Sequence, residues 1–517
     1  MNANPVLSLV VLVSATFRSM ASAVDDLVRL TVGEEKVTIK GKEVSVMAIR
    51  QSDGQSGYSP QKDEGFHVEV VNNLTVPTTI HWHGLVLPNL MDGVPFVTQE
   101  PIPPGGSFVY NFPLKQEGSY WMHSHYGLQE QLLNSAPLVI WTPEEKARAD
   151  QQHVVMLSDF SFTSPVEILK KLKEEMPMSM PKDKDATMGA EAPKRETLSV
   201  QVWDEAGQRF GRDEVEAEPP DIDVKYDALL ANRRTIEDPE IVSVPPGQTL
   251  LLRIIGASSA TDFYINTGAL EAELLAVDGQ PIEPLKGNFF QLAIAQRIDL
   301  RVTMPAAGGT FPILFQGEGT KLLAATVLVS GEAAEMPVLA QKAVLPTGTL
   351  DNVQEKRLRA ARPLPEKKVD RSHPGVLGGR MQGYTWTING AAYPNREALD
   401  VKEGERVEIV LRNITKMGHP MHLHGHDFQV VEIDGEKISG AVRDTVEVPP
   451  GSTIKIVFDA DNPGVWAFHC HIIYHLATGM FTVVKYEGAD TQFWQPEESQ
   501  IELKDSIPAV SPSVGDY

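Results

Sequence analysis

The chain has 517 residues, 42% hydrophobic and 22% charged, a balance that suits about three globular domains. Its formal charge of −23 argues against nucleic acid and anionic membrane surfaces, which recruit basic patches, and favours cations as partners. Cys470 is the single cysteine, so no intramolecular disulfide forms and the residue needs another explanation.

In chain order, the apolar run from Pro5 to Phe17 followed by Ala21-Ser22-Ala23 resembles the core and cleavage site of a secretory signal, although no Lys or Arg precedes the run and Arg18 interrupts it. A signal over residues 1–23 predicts a periplasmic or secreted protein. No later stretch reaches the roughly 18 apolar residues that span a bilayer, so no membrane span is expected.

A repeat organises the rest. Pro104-Gly105, Pro246-Gly247 and Pro450-Gly451 each follow another proline and lead into alternating segments, Ser107 to Phe112, Thr249 to Ile255 and Thr453 to Phe458. The first and last copies share more. Gly65 to Asn72 precedes His81-Trp82-His83-Gly84 as Gly404 to Leu411 precedes His422-Leu423-His424-Gly425, and Gly118 to His125 parallels Gly464 to His471. Period-2 alternation and frequent turns predict an all-β protein of sandwiches or barrels. The boundaries read as domain 1 over 24–142, domain 2 over 143–345, a connector over 346–382, domain 3 over 383–487 and a polar tail over 488–517.

Domain 2 carries one helical signal, the capping box Ser164-Pro165-Val166-Glu167 followed by an apolar face of Val166, Leu169, Leu172 and Met176 that Pro177 ends. A methionine-containing insertion covers about 164–220, with Met176, Met178, Met180 and Met188 beside charged residues and no evident strand. Thioether sulfur suits cuprous ion, so these four could recruit Cu(I); a helix end and linker is the plainer alternative.

Of fourteen histidines, eight form four His-x-His pairs: His81/His83, His123/His125, His422/His424 and His469/His471. Residues two apart on a strand point to one face, so each pair offers two imidazoles side by side. Zinc rarely takes more than four protein ligands; eight converging imidazoles suggest a metal cluster. Cys470, between His469 and His471, points to the opposite face of its strand. With His419, His475 and the distant Met480 it makes the two-histidine, thiolate and methionine set of a blue-copper electron-transfer site.

These motifs, HWHG at 81–84, HSHYG at 123–127, HPMHLHGH at 419–426 and HCHIIYHLATGM at 469–480, resemble those of the multicopper oxidases over nearly the whole chain. The resemblance implies three cupredoxin-like Greek-key domains and four copper ions, one type 1, one type 2 and two type 3. It places the type 1 ion on His419, Cys470 and His475 with Met480 axial, and the type 2 ion on His81 and His422. The type 3 pair falls to His83, His123, His125, His424, His469 and His471. The cluster then sits between domains 1 and 3, with domain 2 mainly a spacer. Ser124, standing where Cys470 stands in the repeat, implies no thiolate-bound copper in domain 1.

Segments such as Gly127-Leu128-Gln129-Glu130-Gln131 and Tyr226 to Asn232 are similar to bacterial copper-resistance oxidases of the CopA type, although the twin-arginine leader is missing and the methionine region is short. The implied reaction oxidises Cu(I), phenols or both, one electron at a time, and reduces dioxygen to water. Protons for that step need carboxylates. Asp92 resembles the family acid near the type 2 ion, and Glu130 is a candidate because Ile473 stands where some relatives carry a glutamate. A monomer is expected. The alternatives are a laccase acting mainly on phenols and a periplasmic copper-binding protein without catalysis.

Overall fold

The computed structural model describes residues 27–148, 151–174, 195–331, 337–380, 383–395 and 397–494. The chain is all-β, in three cupredoxin-like domains. In the first, Val28–Ile39 lies between Lys42–Gln51 and Gly65–Asn72, and Ser107–Pro113 completes that sheet. A smaller sheet of His81–His83, Gly118–His123 and Ser135–Ile140 faces it. Alternation in Gly65–Asn72 turns Phe66, Val68 and Val70 inward. There Phe66 stacks on Phe112 and meets the edge of Trp82, the residue between His81 and His83.

The third domain repeats this plan. Arg371–Arg380 pairs parallel with Arg406–Asn413, as Val28–Ile39 pairs parallel with Gly65–Asn72. The sheet that opposes it runs Leu399–Val401, Phe481–Tyr486, Val465–Cys470, His419–Leu423, Thr445–Val448. Asn72 and Asn413 end equivalent strands, each donating through Nδ2 to two carbonyls, those of Val76 and Ile102 and those of Met417 and Val448. The repeat is therefore in register at Asn72 and Asn413, two residues away from an alignment of Asn72 with Leu411. Gly105, Gly247 and Gly451 share the left-handed conformation, with φ of +74°, +75° and +74°. A Cβ there would touch nothing, so glycine serves the turn itself.

The middle domain packs an eight-stranded sheet on a five-stranded one around its own apolar core. A second core is continuous through the first and third domains. These two are thus joined as one apolar body, with the histidine-bearing strands at their junction.

Two expectations need correction. The 346–382 connector contains the strand Arg371–Arg380, whose Pro374 and Gly375 obscure its alternation. Its earlier part docks on the middle domain, Gln354 accepting from Gln201 Nε2 and exchanging hydrogen bonds with the Gln291 backbone. The 164–220 insertion contains the hairpin Glu196–Asp204 with Arg209–Ala217, whose many charges lie exposed on the second strand. The helix Pro165–Glu174 forms with the expected Ser164–Glu167 capping box and buries Ile168 and Leu169. Met176, Met178, Met180 and Met188, the leader and the tail beyond Trp494 lie outside the described residues.

Candidate metal centre

Strand pairing brings the histidine pairs together within each domain. His81 lies opposite His123, and His422 opposite His469. The two halves then meet face to face across the domain junction. His81 and His424 have ring centroids 3.9 Å apart, and His83 and His422 stack at 3.8 Å. All eight paired histidines therefore converge on one small volume.

The nitrogens that point into that volume are buried and unsatisfied: His81 Nε2, His83 Nδ1, His123 Nε2, His422 Nε2 and His471 Nε2 have no hydrogen-bond partner. Others crowd one another, with His424 Nε2 at 2.9 Å and His125 Nε2 at 3.3 Å from His469 Nε2. Orphaned buried imidazole nitrogens are costly without a partner. Burial holds His83, His123, His125, His422, His424 and His471 well below the ordinary imidazole range, and His469 at about 3, which keeps their lone pairs available. A cluster of metal ions fits this donor set.

On the opposite face of the Val465–Cys470 strand, Cys470 Sγ lies 3.7 Å from His419 Nδ1 and 3.6 Å from His475 Nδ1. The two Nδ1 atoms are 3.2 Å apart. Each outer nitrogen is held: His419 Nε2 by Thr415 Oγ1 at 2.8 Å, and His475 Nε2 by Asp223 Oδ2 at 2.9 Å. Trp386 stacks on His475 at 3.8 Å. Met480 is buried, and its carbonyl accepts from the Cys470 amide at 3.1 Å. Burial pushes the Cys470 thiol well up, so a thiolate here requires a bound cation, and the two-imidazole, one-sulfur set suits copper.

Both candidate acids reach the histidines. Asp92 Oδ2 accepts from His424 Nδ1 at 2.9 Å and its carbonyl accepts from His81 Nδ1 at 2.8 Å, so one residue touches both halves. Glu130 Oε2 lies 2.9 Å from His123 Nδ1 and Oε1 3.7 Å from His471 Nδ1. Burial and the neighbouring Asp159 push the Glu130 carboxyl well above the usual range. A cleft of about 640 Å³ runs past His125, Gly127, Tyr384 and Phe481.

Several residues around these centres carry no sequence signal of their own. Asp223, Tyr384 and Trp386 surround His475, and Tyr384 donates its hydroxyl to Asp223. Arg297 and Asp444 approach the cluster from the middle and third domains. Thr78, Gln129 and Asn134 could have been found from spacing. They lie three residues before His81 and five and ten after Ser124, as His419 lies three before His422 and His475 and Met480 five and ten after Cys470.

A three-domain β-fold with a thiol site one residue away from eight convergent imidazoles defines a metal-dependent electron-transfer protein. Its sequence assigns the chemistry more narrowly, since models of the multicopper oxidase family match residues 31–145, 152–333 and 369–490. The chain belongs to the multicopper oxidase family, an oxidoreductase with copper as cofactor.

It is 33% identical over 425 residues to multicopper oxidase MmcO of Mycobacterium tuberculosis, covering 81% of this chain and 79% of that protein. It is 28% identical over 570 residues to copper resistance protein A of Escherichia coli, covering 89% and 92%. The fold matches that of Fet3p, a multicopper oxidase that functions in iron import, with a TM-score of 0.70 and 23% identity over 92% of this chain and 94% of that one. A laccase from Botrytis aclada matches with a TM-score of 0.67 and 21% identity over 92% and 90%.

Proposed function

We propose that this oxidase couples the one-electron oxidation of Cu(I), and of phenols, to the four-electron reduction of dioxygen to water, in a periplasmic or secreted setting and in the service of copper tolerance. The adjacency of Cys470 to His469 and His471, with orphaned imidazole nitrogens on one side and a sulfur-centred trio on the other, carries this reading. The similarity to copper resistance protein A supports the tolerance role.

In this reading His419, Cys470 and His475, with Met480 beside them, would hold a type 1 ion, and His81 and His422 a type 2 ion. His83, His123, His125, His424, His469 and His471 would hold a type 3 pair, four ions in all. When bound, copper supplies reversible one-electron chemistry at the sulfur site and dioxygen reduction at the cluster. The chain supplies the rest. The backbone of Cys470 joins the two centres through its own covalent neighbours. Burial raises the Glu130 carboxyl beside His123 and His471, which suits it to pass on a proton, and Asp92 steadies His81 and His424 from one position. Asp223 fixes His475 so that its Nδ1 faces the sulfur.

The cleft beside Tyr384 and Phe481 favours phenols as a second reductant class, being large enough for one aromatic ring. Oxygen uptake by the copper-loaded protein, with Cu(I) and a phenol compared at equal concentration, tests the choice. Uptake with neither would reject the oxidase reading. Replacing Met176, Met178, Met180 and Met188 together should raise the KM for Cu(I) and leave phenol turnover intact if they gather cuprous ion. Unchanged Cu(I) kinetics would return the segment to a linker.

A further inference from the structure

Five of the cluster histidines are held the same way, each Nδ1 contacting an oxygen outside the cluster: His81 at the Asp92 carbonyl, His123 at the Ser124 carbonyl, His422 at the Asp444 carbonyl, His424 at the Asp92 carboxylate and His469 at the Cys470 carbonyl. His83 is turned round. Its Nδ1 is the buried orphan that faces the other imidazoles, and its Nε2 points outward to Asp444 Oδ1 and Thr445 Oγ1, both at 3.1 Å. A reversed imidazole needs an acceptor fixed at its Nε2, because that acceptor sets which ring nitrogen carries the proton.

Asp444 is that acceptor, and it is itself held from the middle domain. The buried Arg297 grips both of its carboxylate oxygens, Nη1 donating to Oδ1 at 2.8 Å and Nη2 to Oδ2. The same guanidinium donates through Nε to the Ser119 carbonyl in the first domain at 3.0 Å. Its strand is anchored where the Arg297 amide donates to Asp278 Oδ1 at 2.9 Å. Oδ1 also accepts from Thr445 Oγ1 at 2.8 Å, so the carboxylate and the hydroxyl it holds stand together at His83 Nε2, while the Asp444 carbonyl takes His422. The pair also accounts for the glycine that follows His83. At Gly84 a Cβ would come within 2.5 Å of both Arg297 Nη2 and Asp444 Oδ2.

We infer that Arg297 and Asp444 form a three-domain clamp of positioning residues that presents His83 Nδ1 and His422 Nε2 to the copper cluster, so the middle domain takes part in building that cluster and is more than a spacer. This rests on the proposed assignment of His83 and His422 as cluster ligands.

The test compares the copper-loaded wild type with Asp444→Asn, Arg297→Met and Arg297→Lys, reading copper per chain, the blue thiolate absorption, the type 2 paramagnetic signal and oxygen uptake. Asp444→Asn is isosteric and can turn an N–H toward His83 Nε2, opposing the required tautomer. It should lose cluster copper and lower oxygen uptake about 10–100-fold, as outer hydrogen-bond partners of metal ligands do, with the blue absorption retained. Arg297→Met should do the same, and Arg297→Lys, which keeps the charge without the fork, should recover part of the cluster signal. Should Arg297→Met not fold, the isosteric Asp444→Asn still decides. Full copper content and wild-type cluster signals in Asp444→Asn would overturn the clamp. So would parallel loss of the blue absorption and the cluster, which marks a general folding defect. A wild type that binds a single copper would instead reject the cluster assignment on which the clamp rests.

Discussion

The first and third domains place four side chains at equivalent points, and only one set offers imidazole and sulfur donors. In the third domain they are His419, Cys470, His475 and Met480. In the first they are Thr78, Ser124, Gln129 and Asn134, at the same spacings. Gln129 Oε1 accepts from Thr78 Oγ1 at 2.7 Å, Ser124 Oγ at 2.8 Å and Asn134 Nδ2 at 3.2 Å, so the space that would take an ion is filled by a closed polar network. Yet the opposite face of that strand keeps His123 and His125. The two faces of one β-strand are thus separable in chemistry: the first domain carries His123 and His125 on one face and a polar network, in place of the thiol and its two imidazoles, on the other.

The largest effect expected is from making the third domain resemble the first. Cys470→Ser should abolish the blue absorption and bring oxygen-coupled turnover to background, with cluster copper retained. The reciprocal Ser124→Cys should bring no second blue absorption, because Thr78 and Gln129 offer no imidazole to a metal beside the new sulfur. A blue Cys470→Ser protein would break the comparison at its root.

Removing the centre of the polar network should act on stability alone. Gln129→Ala would remove the short acceptor shared by the buried Thr78 and Ser124 hydroxyls and the donor to the Pro77 carbonyl, a loss of about 3 kcal/mol in denaturant unfolding. Blue absorption and turnover should stay within about twofold of wild type, since Gln129 meets Ser124 on the face of the strand opposite His123 and His125. Loss of copper in this variant would mean that the network supports the cluster directly.

Much of this was legible in the sequence because it is local. Period-2 alternation, the Pro-Pro-Gly turns and the His-x-His pairs each report on their own strand, and they placed the histidine-bearing strands and Cys470 without any tertiary information. What escaped depends on partners far away in the chain. Nothing near Arg297 marks it as the partner of Asp444, 147 residues on, nor Asp223 as the partner of His475, 252 residues on. Glu130 is a candidate in the sequence by resemblance alone; its partners His123 and His471 appear only when Gly118–His123 and the end of Val465–Cys470 bring them beside it. Arg371–Arg380 escaped for a different reason. Proline and glycine interrupt its pattern, and its pairing with Arg406–Asn413 supplies the stability that local propensity lacks.

The comparison also predicts a difference in pH response. The network in the first domain contains no ionisable group, whereas burial raises Asp262, Glu318 and Glu447 near the Cys470 site, Asp262 to about 7. In the unfolded chain Asp262 would titrate near 3.8, so the folded state holds a proton that the unfolded state releases. Its contribution to stability is therefore full below that value and declines as pH rises through about 7. Asp262→Asn cannot ionise, so its thermal midpoint should gain on wild type as pH rises from about 4 to about 7 and keep a constant lead above that. A midpoint difference independent of pH would remove Asp262 from this account.

The smallest effect concerns the fourth position, Asn134 in the first domain and Met480 in the third. Asn134 is a full member of its network, whereas Met480 is buried among apolar neighbours and offers only a thioether, a weak donor suited to an axial place. Leucine matches methionine in volume and brings no donor, so Met480→Leu should retain copper and colour with little loss of stability. Losing a soft donor should raise the type 1 potential, since electron donation to the oxidised ion falls. For a one-electron couple, each rise of about 59 mV makes the site a tenfold stronger oxidant of its reductant and a tenfold poorer donor to the cluster. Redox titration of the blue absorption reads the shift directly. An unchanged potential would show that Met480, like Asn134, completes the packing of its site without contacting a metal, and the two domains would then differ at three positions of the four.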